Sequence, residues 1–290
     1  MSHSPIPVLG ISRSHRFSPN STGRDEAIFM AVASRMERKG FDVSIISEDL
    51  FVAVDLEEFQ LVFSMARSMD VLKALAEAER NGILKVVNSA ECLLANTRDV
   101  IAKRFAQNDV PQPITIALDT STTTSSSILS SLHLPLWLKR ADACAQSPLD
   151  VQFIDSHEAL EKGLVHFREN NIDRIVAVEH AEGDLVKFYG VEGSPFFRWD
   201  YPTAGNGFSK FGLEVHNGEA QHFPFSADQL KQLADRAARA TGMTIYGGDA
   251  IIRSNGSIQL IDFNDWPSFS VCSKEAARAI AQRLAEECND

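Results

Sequence analysis

The chain has 290 residues, 44% of them hydrophobic, and a mean hydropathy of -0.11, so it is long enough to build two or three lobes with cores of their own. No apolar run is long enough to cross a bilayer, and the first residues, MSHSPIPVLGIS, lack a basic segment followed by an apolar one; neither a membrane span nor a secretory leader is expected, and a cytoplasmic location is. A net charge of -11 and a pI near 5.2 oppose binding to a nucleic-acid backbone, while Cys92, Cys144, Cys272 and Cys288 show no metal-ligand spacing, which points to reduced thiols without a zinc site or disulfide framework.

Between residues 7 and 87, strand-like and helix-like segments alternate. VLGIS at 8–12 reads as a short buried strand. Residues 25–39 place Ile28, Ala31, Val32, Arg35 and Met36 along one helical side and stop at Gly40. FDVSII, LVFS at 61–64 and ILKVV are further strands, and a helix over 70–81 ends at Gly82. The alternation predicts an α/β lobe with a small open parallel sheet and helices on its faces. Neither G-x-G-x-x-G nor G-x-x-x-x-G-K-[ST] occurs, which excludes the dinucleotide fingerprint and the P-loop. Open sheets bind ligands at the carboxyl ends of their strands. The loop after Ser12 lies at such an end and carries Arg13, His15, Arg16 and Arg24, so Arg13 and Arg16 are candidates to hold an anionic substrate group.

Residues 88–108 read as one or two helices, followed by a Pro111-Gln112-Pro113 break. DTSTTTSSS at 119–127 is rich in hydroxyls that cannot build a core, and it is expected to be a mobile connector. An apolar strand over 134–138 delivers Lys139 at its end. The loop after it, 140–148, has no glycine. A Ser-capped helix over 156–170 presents Leu160, Leu164 and Phe167 on one face. A strand over 175–178 leads to Glu179, a turn at Gly183 and a strand over 185–191. An aromatic, irregular segment then precedes a helix over 226–241 that Gly242 stops, and a final amphipathic helix covers 273–287.

Residues 244–269, TIYGGDAIIRSNGSIQLIDFNDWPSF, read as two strands joined by a Ser-Asn-Gly-Ser turn. Each strand carries a carboxylate where a core strand would have an apolar residue: Asp249 opens the first, and Asp262, Asn264 and Asp265 close the second. In an antiparallel pair these ends adjoin, and residues 262 and 264 share a face because side chains alternate with period two. Asp249, Asp262 and Asn264 therefore converge three oxygen donors of the hard type that Mg²⁺ takes when it serves a nucleotide.

These residues resemble the metal hairpin of the ATP-grasp superfamily, with Asp262 where most members have Glu, as in the inositol trisphosphate 5/6-kinase branch. The resemblance runs in order along nearly the whole chain. It implies an ATP-grasp fold of α/β and α+β lobes: an N-terminal domain over 1–96, a central lobe over 97–178, and a C-terminal lobe over 179–290 that clasps ATP against the central one. It implies ATP and two Mg²⁺ ions, with Mn²⁺ as an alternative. Lys103, or Arg98 in another register, and Lys139 would supply cations to the phosphates. Glu179, His180 and Ala181 would meet the adenine edge, and Asp184, or Glu182, the ribose. Lys187 would face the substrate. Arg253 is added as a catalytic and substrate cation beside Arg13 and Arg16. The glycine-free loop and the absence from it of the histidine found in the kinase branch depart from the pattern. The implied activity is carboxylate–amine (or thiol) ligation of a small molecule, as in the glutathione-synthase-like and glutamate-ligase-like members; a small-molecule kinase and a non-catalytic nucleotide-binding protein are the alternatives. A homodimer is left open.

Overall fold

The computed structural model describes residues 5–17, 21–141, 147–202 and 212–289. In chain order the first unit comprises β1 (Pro7–Ser12), α1 (Thr22–Arg38), β2 (Asp42–Ser47), β3 (Leu61–Ser64), α2 (Met69–Arg80) and β4 (Lys85–Val87). Its strands are all parallel in the order β2-β1-β3-β4. β3 is buried along its whole length and β1 in its central four residues, as expected of strands covered on both faces. α1 covers one face with Ile28, Phe29, Val32 and Met36. Gly10 makes this close approach feasible: a Cβ there would lie 2.6 Å from the Phe63 ring and 3.0 Å from that of Phe29.

Residues 88–108 form two helices, α3 (Ala90–Ala95) and α4 (Arg98–Gln107). The second sheet is built from β5 (Thr115–Asp119), β6 (Leu136–Arg140), β7 (Val151–Ile154) and β8 (Arg174–Glu179), antiparallel in the order β5-β8-β6-β7. It carries α5 (Ser125–Leu129) and α6 (His157–Glu169). Its core joins Leu136, Leu138, Leu164, Phe167 and Ile175. The hydroxyl-rich stretch at 119–127 is not a loose connector. The Thr124 side chain accepts from the Ser127 amide and the Ser127 hydroxyl accepts from the Thr124 amide, forming a capping box that starts α5. Thr120 is buried, donates through Oγ1 to the Ile172 carbonyl at 3.0 Å, and accepts from Arg168 Nε at 2.7 Å. Hydroxyls that cannot pack a core can still satisfy buried backbone.

β9 (Asp184–Val191), β10 (Phe197–Asp200), α7 (Ala227–Thr241), β11 (Ile245–Ile252), β12 (Ile258–Asp265) and α8 (Ser273–Glu287) complete the chain. Their sheet is antiparallel in the order β10-β9-β11-β12. α7 buries the predicted Leu230, Leu233, Ala234, Ala237 and Ala238, and Gly242 ends it at φ +70°. Phe105 of α4 enters this same core beside Phe263. α8 packs on α1, so that Phe29 and Phe63 of the first unit meet Trp266, just beyond β12, in one continuous core.

Asn88 joins the first and third sheets. Fully buried, it accepts through Oδ1 from the amides of Thr244 (2.9 Å) and Ile245 (2.7 Å) and donates through Nδ2 to the Ile245 carbonyl at 2.7 Å. Asn88→Ala leaves buried backbone groups of β11 without partners and is expected to destabilise the protein by about 2–4 kcal/mol. Denaturant unfolding measures this, and a change below about 0.5 kcal/mol, the scatter of neutral surface substitutions, would mean that the junction is held by packing alone.

Candidate active site

A cleft of about 360 Å³ is lined by strand residues of the second and third sheets and, from the first unit, by residues outside its strands, among them Arg13 beyond β1, Asp25 of α1 and Arg67 beyond β3. Its floor is the β11–β12 hairpin. Asp249 and Asp262 are direct partners in the ladder, with a bulge immediately after Asp249. The hairpin is longer than the sequence suggested: β11 starts at Ile245, so Asp249 stands inside the strand and not at its opening. The preceding Gly247 and Gly248 are the reason those residues do not read as strand. A Cβ on Gly248 would fall 2.3 Å from the Asp262 carbonyl and 2.6 Å from the Phe188 ring, so the pairing that sets Asp249 against Asp262 requires glycine there.

Asn264 Nδ2 donates to Asp262 Oδ2 at 2.9 Å, and all three predicted metal ligands line the cleft. Burial pushes the Asp249 carboxyl above its ordinary value, with Asp262 adding repulsion and Lys187 only partly offsetting it. Burial would raise Asp262 too, but Arg98, Lys139 and Asn264 outweigh it and hold that carboxyl below the usual range. Among the described residues no group of three or more His, Cys, Asp or Glu side chains could hold a metal. The hairpin instead offers two carboxylates and an amide. That donor set is hard, all-oxygen if Asn264 turns its carbonyl inward, and short of a full shell, which fits Mg²⁺ completed by phosphate oxygens and water.

Lys187 lies across the ladder from Asp249, on β9. Its Nζ is 3.2 Å from both Asp249 Oδ1 and Glu214 Oε1. Burial would lower its pKa, but the two carboxylates outweigh burial and raise it. Lys139, on β6, reaches from the second sheet to donate to the Ile261 carbonyl of β12 at 3.1 Å. Burial pulls its ammonium below the ordinary lysine value, against the attraction of Asp262 and Asp249.

At the start of α4, Arg98 lines the cleft, and its Nη1 donates to the Arg140 carbonyl at 2.8 Å. Lys103 is exposed and is not among the cleft-lining residues. Five residues along a helix turn a side chain by about 140°, so the two positions cannot face one ligand. Arg98→Met is expected to weaken ATP binding about tenfold, the effect of one lost charge-assisted contact, whereas Lys103→Met should stay within about twofold. Calorimetric titration with ATP and Mg²⁺ decides the point, and the reverse order would restore Lys103.

The loop expected to cover the phosphates falls mostly outside the described residues, at 142–146. Glu179, His180 and Ala181 line the cleft where β8 ends. The amides of Glu179 and His180 donate to the Ile114 and Pro135 carbonyls, at 2.9 and 3.2 Å, so those backbone donors are engaged within the fold. His180 Nδ1 accepts from Trp137 Nε1 at 3.1 Å, which leaves Nε2 as the ring position that carries a proton in the neutral form. Burial keeps the ring below its ordinary pKa.

Four sequence expectations are corrected by position. Asp184 is buried and accepts from the amides of Gln221 (2.6 Å) and Phe223 (2.7 Å); it fastens that loop and does not line the cleft. Its alternative, Glu182, is exposed and equally outside the lining, which leaves Glu179 as the hinge carboxylate that faces the cleft. Arg253 is exposed in the hairpin turn, four residues past Asp249 and hence about 13 Å along the strand from it. Arg16 is exposed over the Phe17 ring, at 4.6 Å. Arg13 does line the cleft, bonded to Asp25 Oδ2 (3.0 Å) and to the Met65 (3.1 Å) and Trp266 (3.3 Å) carbonyls.

Sequence reasoning missed Arg67, Asp25, Asp265 as a paired acid, and Glu214. Arg67 stands just beyond β3 at the carboxyl end of the parallel sheet, where the rule that selected Arg13 applies equally. Its Nη1 is 2.5 Å from Asp265 Oδ1. Glu48 sets both arginine-bearing loops. This buried carboxylate accepts from the amides of Ser14 (2.6 Å), Arg67 (2.9 Å) and Ser68 (2.7 Å). No local signal marks Glu214, which comes to Lys187 from a short 3₁₀ segment, Leu213–Asn217.

No known family pattern and no curated protein matches the chain in sequence. Solved structures do match it in fold. A RimK-domain ATP-grasp protein from Sphaerobacter thermophilus aligns over 96% of this chain and 99% of its own, at 16% identity and a TM-score of 0.67. D-alanyl-alanine synthetase A from Vibrio cholerae aligns over the full length of both chains at 10% identity and a TM-score of 0.71. D-alanine–D-alanine ligase from Bacillus anthracis, solved in complex with ATP, aligns over 99% of both chains at 10% identity and a TM-score of 0.64.

Proposed function

We propose that this chain, which has the ATP-grasp fold, is an ATP- and Mg²⁺-dependent ligase that activates a small-molecule carboxylate for attack by an amine or thiol. The observation that carries the reading is the Asp249–Asp262 pair, set opposite one another on the cleft floor with Lys139, Lys187 and Arg98 around them. Asp249, Asp262 and Asn264 would hold the metal. When bound, Mg²⁺ would withdraw charge from the phosphate oxygens. Lys139 and Arg98 supply fixed positive charge at a partly desolvated site, which stabilises charge developing on a transferring phosphoryl group.

The charge balance of the cleft favours a carboxylate substrate over a polyphosphate. Among the described residues five cations line it: Arg13, Arg67, Arg98, Lys139 and Lys187. Six carboxylates oppose them: Asp25, Glu179, Glu214, Asp249, Asp262 and Asp265. Lys187, the cation that would serve a phosphorylated polyol, is already shared between Asp249 and Glu214. Apart from the charge that the metal would bring, the described lining has no excess of cations, and such a lining gives a polyanion little attraction beyond that for ATP itself. The ligase names of the neighbouring structures agree with this choice.

The test is the fate of the γ-phosphate with pools of acids and amines and, separately, with a pool of polyol phosphates. A ligase releases ADP and free phosphate together, and only when both acid and acceptor are present. ADP formed without free phosphate, with the γ-phosphoryl group on a stable polyol phosphate, would overturn the ligase reading in favour of a kinase.

A further inference from the structure

Where the parallel sheet meets the end of the hairpin, the cleft wall consists of two ion pairs side by side. Arg13 pairs with Asp25, and Arg67 with Asp265, at 3.0 and 2.5 Å. The pairs are linked, because Arg13 Nη2 also donates to the carbonyl of Trp266, the residue after Asp265. The chain turns sharply here: Trp266 has a φ of +37°, a conformation that bulky residues adopt only when the surroundings enforce it.

Asp265 is only 4% exposed. Its Oδ1 takes the Arg67 guanidinium, whereas Oδ2 has no hydrogen-bond partner among the described residues although Asp265 lines the cleft. A carboxylate oxygen removed from water and left without a donor is costly, so this atom calls for a donor. A cationic donor suits it best, since charge-assisted hydrogen bonds are roughly twice as strong as neutral ones. An anion gains nothing from a wall whose two arginines are each matched by a carboxylate.

We infer that Asp265, oriented by Arg67, is a specificity-determining residue whose Oδ2 accepts a primary ammonium group of the substrate. The cleft is thereby selective for an amine-bearing molecule over the same molecule with its amine blocked. The inference rests on the ligase reading, and it names the group by which that site recognises its substrate.

The test uses the full chain with Mg²⁺ and a non-hydrolysable ATP analogue. Calorimetry is run with α-amino acids, dipeptides and diamines, each beside its N-acetyl derivative. The expected result is that at least one amine-bearing probe binds and that acetylation weakens it about 10- to 100-fold, the loss of one charge-assisted contact. Asp265→Asn should remove that discrimination while the affinity for the ATP analogue is unchanged. The comparison of free and acetylated probes in the native protein needs no variant, so it stands if Asp265→Asn fails to fold. Equal binding of free and acetylated probes, binding of none of the amines, or full discrimination retained in a folded Asp265→Asn would each overturn the inference. Failure of the ligase reading looks different: the ATP analogue itself would not bind, or turnover would proceed without free phosphate.

Discussion

Asp262→Ala should abolish Mg²⁺-dependent ATP turnover while the protein remains folded, a loss of about two to three orders of magnitude or more, the scale set by removing a principal source of transition-state charge stabilisation. Three features single out this carboxylate. It faces Asp249 across the hairpin, it receives a hydrogen bond from Asn264, and the cations around it hold it ionised against the penalty of burial. Removing it also leaves Lys139 and Arg98 without the charge that balances them. Asp262→Asn keeps the shape and removes only the charge, and it should lose nearly as much activity. Turnover at the native rate in either variant, with Mg²⁺ present, would take the hairpin out of the mechanism.

Lys139→Met should weaken ATP binding by about 10- to 100-fold, since one charge-assisted contact contributes roughly 1.5 to 3 kcal/mol, and turnover should fall further still. Lys139 is the cation of β6 that crosses from the second sheet to the β11–β12 hairpin, with its Nζ on the Ile261 carbonyl, one residue before Asp262. A cation fixed by the fold stabilises phosphoryl charge without reorganising at the moment of reaction. Lys139→Arg should not restore function fully, because a planar guanidinium cannot replace a compact ammonium in that partly buried position. Unchanged ATP affinity in Lys139→Met would make the lysine a structural tie between the sheets.

The order of elements was legible because their signals are local. The helix faces of α1, α6 and α7 follow apolar spacing, and Ser156, Ser226 and Gly242 mark ends where the structure places them. The resemblance of the hairpin rested on side chains with specific chemistry, and those side chains share one cleft. What failed was whatever depends on how far a side chain travels in three dimensions. Asp184 looked like a ribose acid because it follows a hinge-like strand; folded, it caps the amides of Gln221 and Phe223. Arg253 reads as a substrate cation beside Arg13 and Arg16, but it stands exposed in the hairpin turn, just past the end of β11. Lys103 and Arg98 are both cations of α4, and the sequence alone does not say which side of that helix faces the cleft; Arg98 does. Glu214 and Glu48 act through contacts distant in sequence, with Lys187 and with three loop amides, which no local pattern encodes.

The central claim is that a carboxylate oxygen attacks the γ-phosphate. It is tested most directly with an acid that supports ADP release, labelled with ¹⁸O in its carboxylate and turned over with Mg²⁺-ATP and an amine. Passage through an acyl phosphate moves one carboxylate oxygen onto phosphorus when the amine displaces it, so the released inorganic phosphate should carry one ¹⁸O atom per turnover, read by mass spectrometry. Unlabelled inorganic phosphate would contradict the account, whether both ¹⁸O atoms remain on unconverted acid while ADP is released or amide forms with the displaced ¹⁸O on a group other than inorganic phosphate.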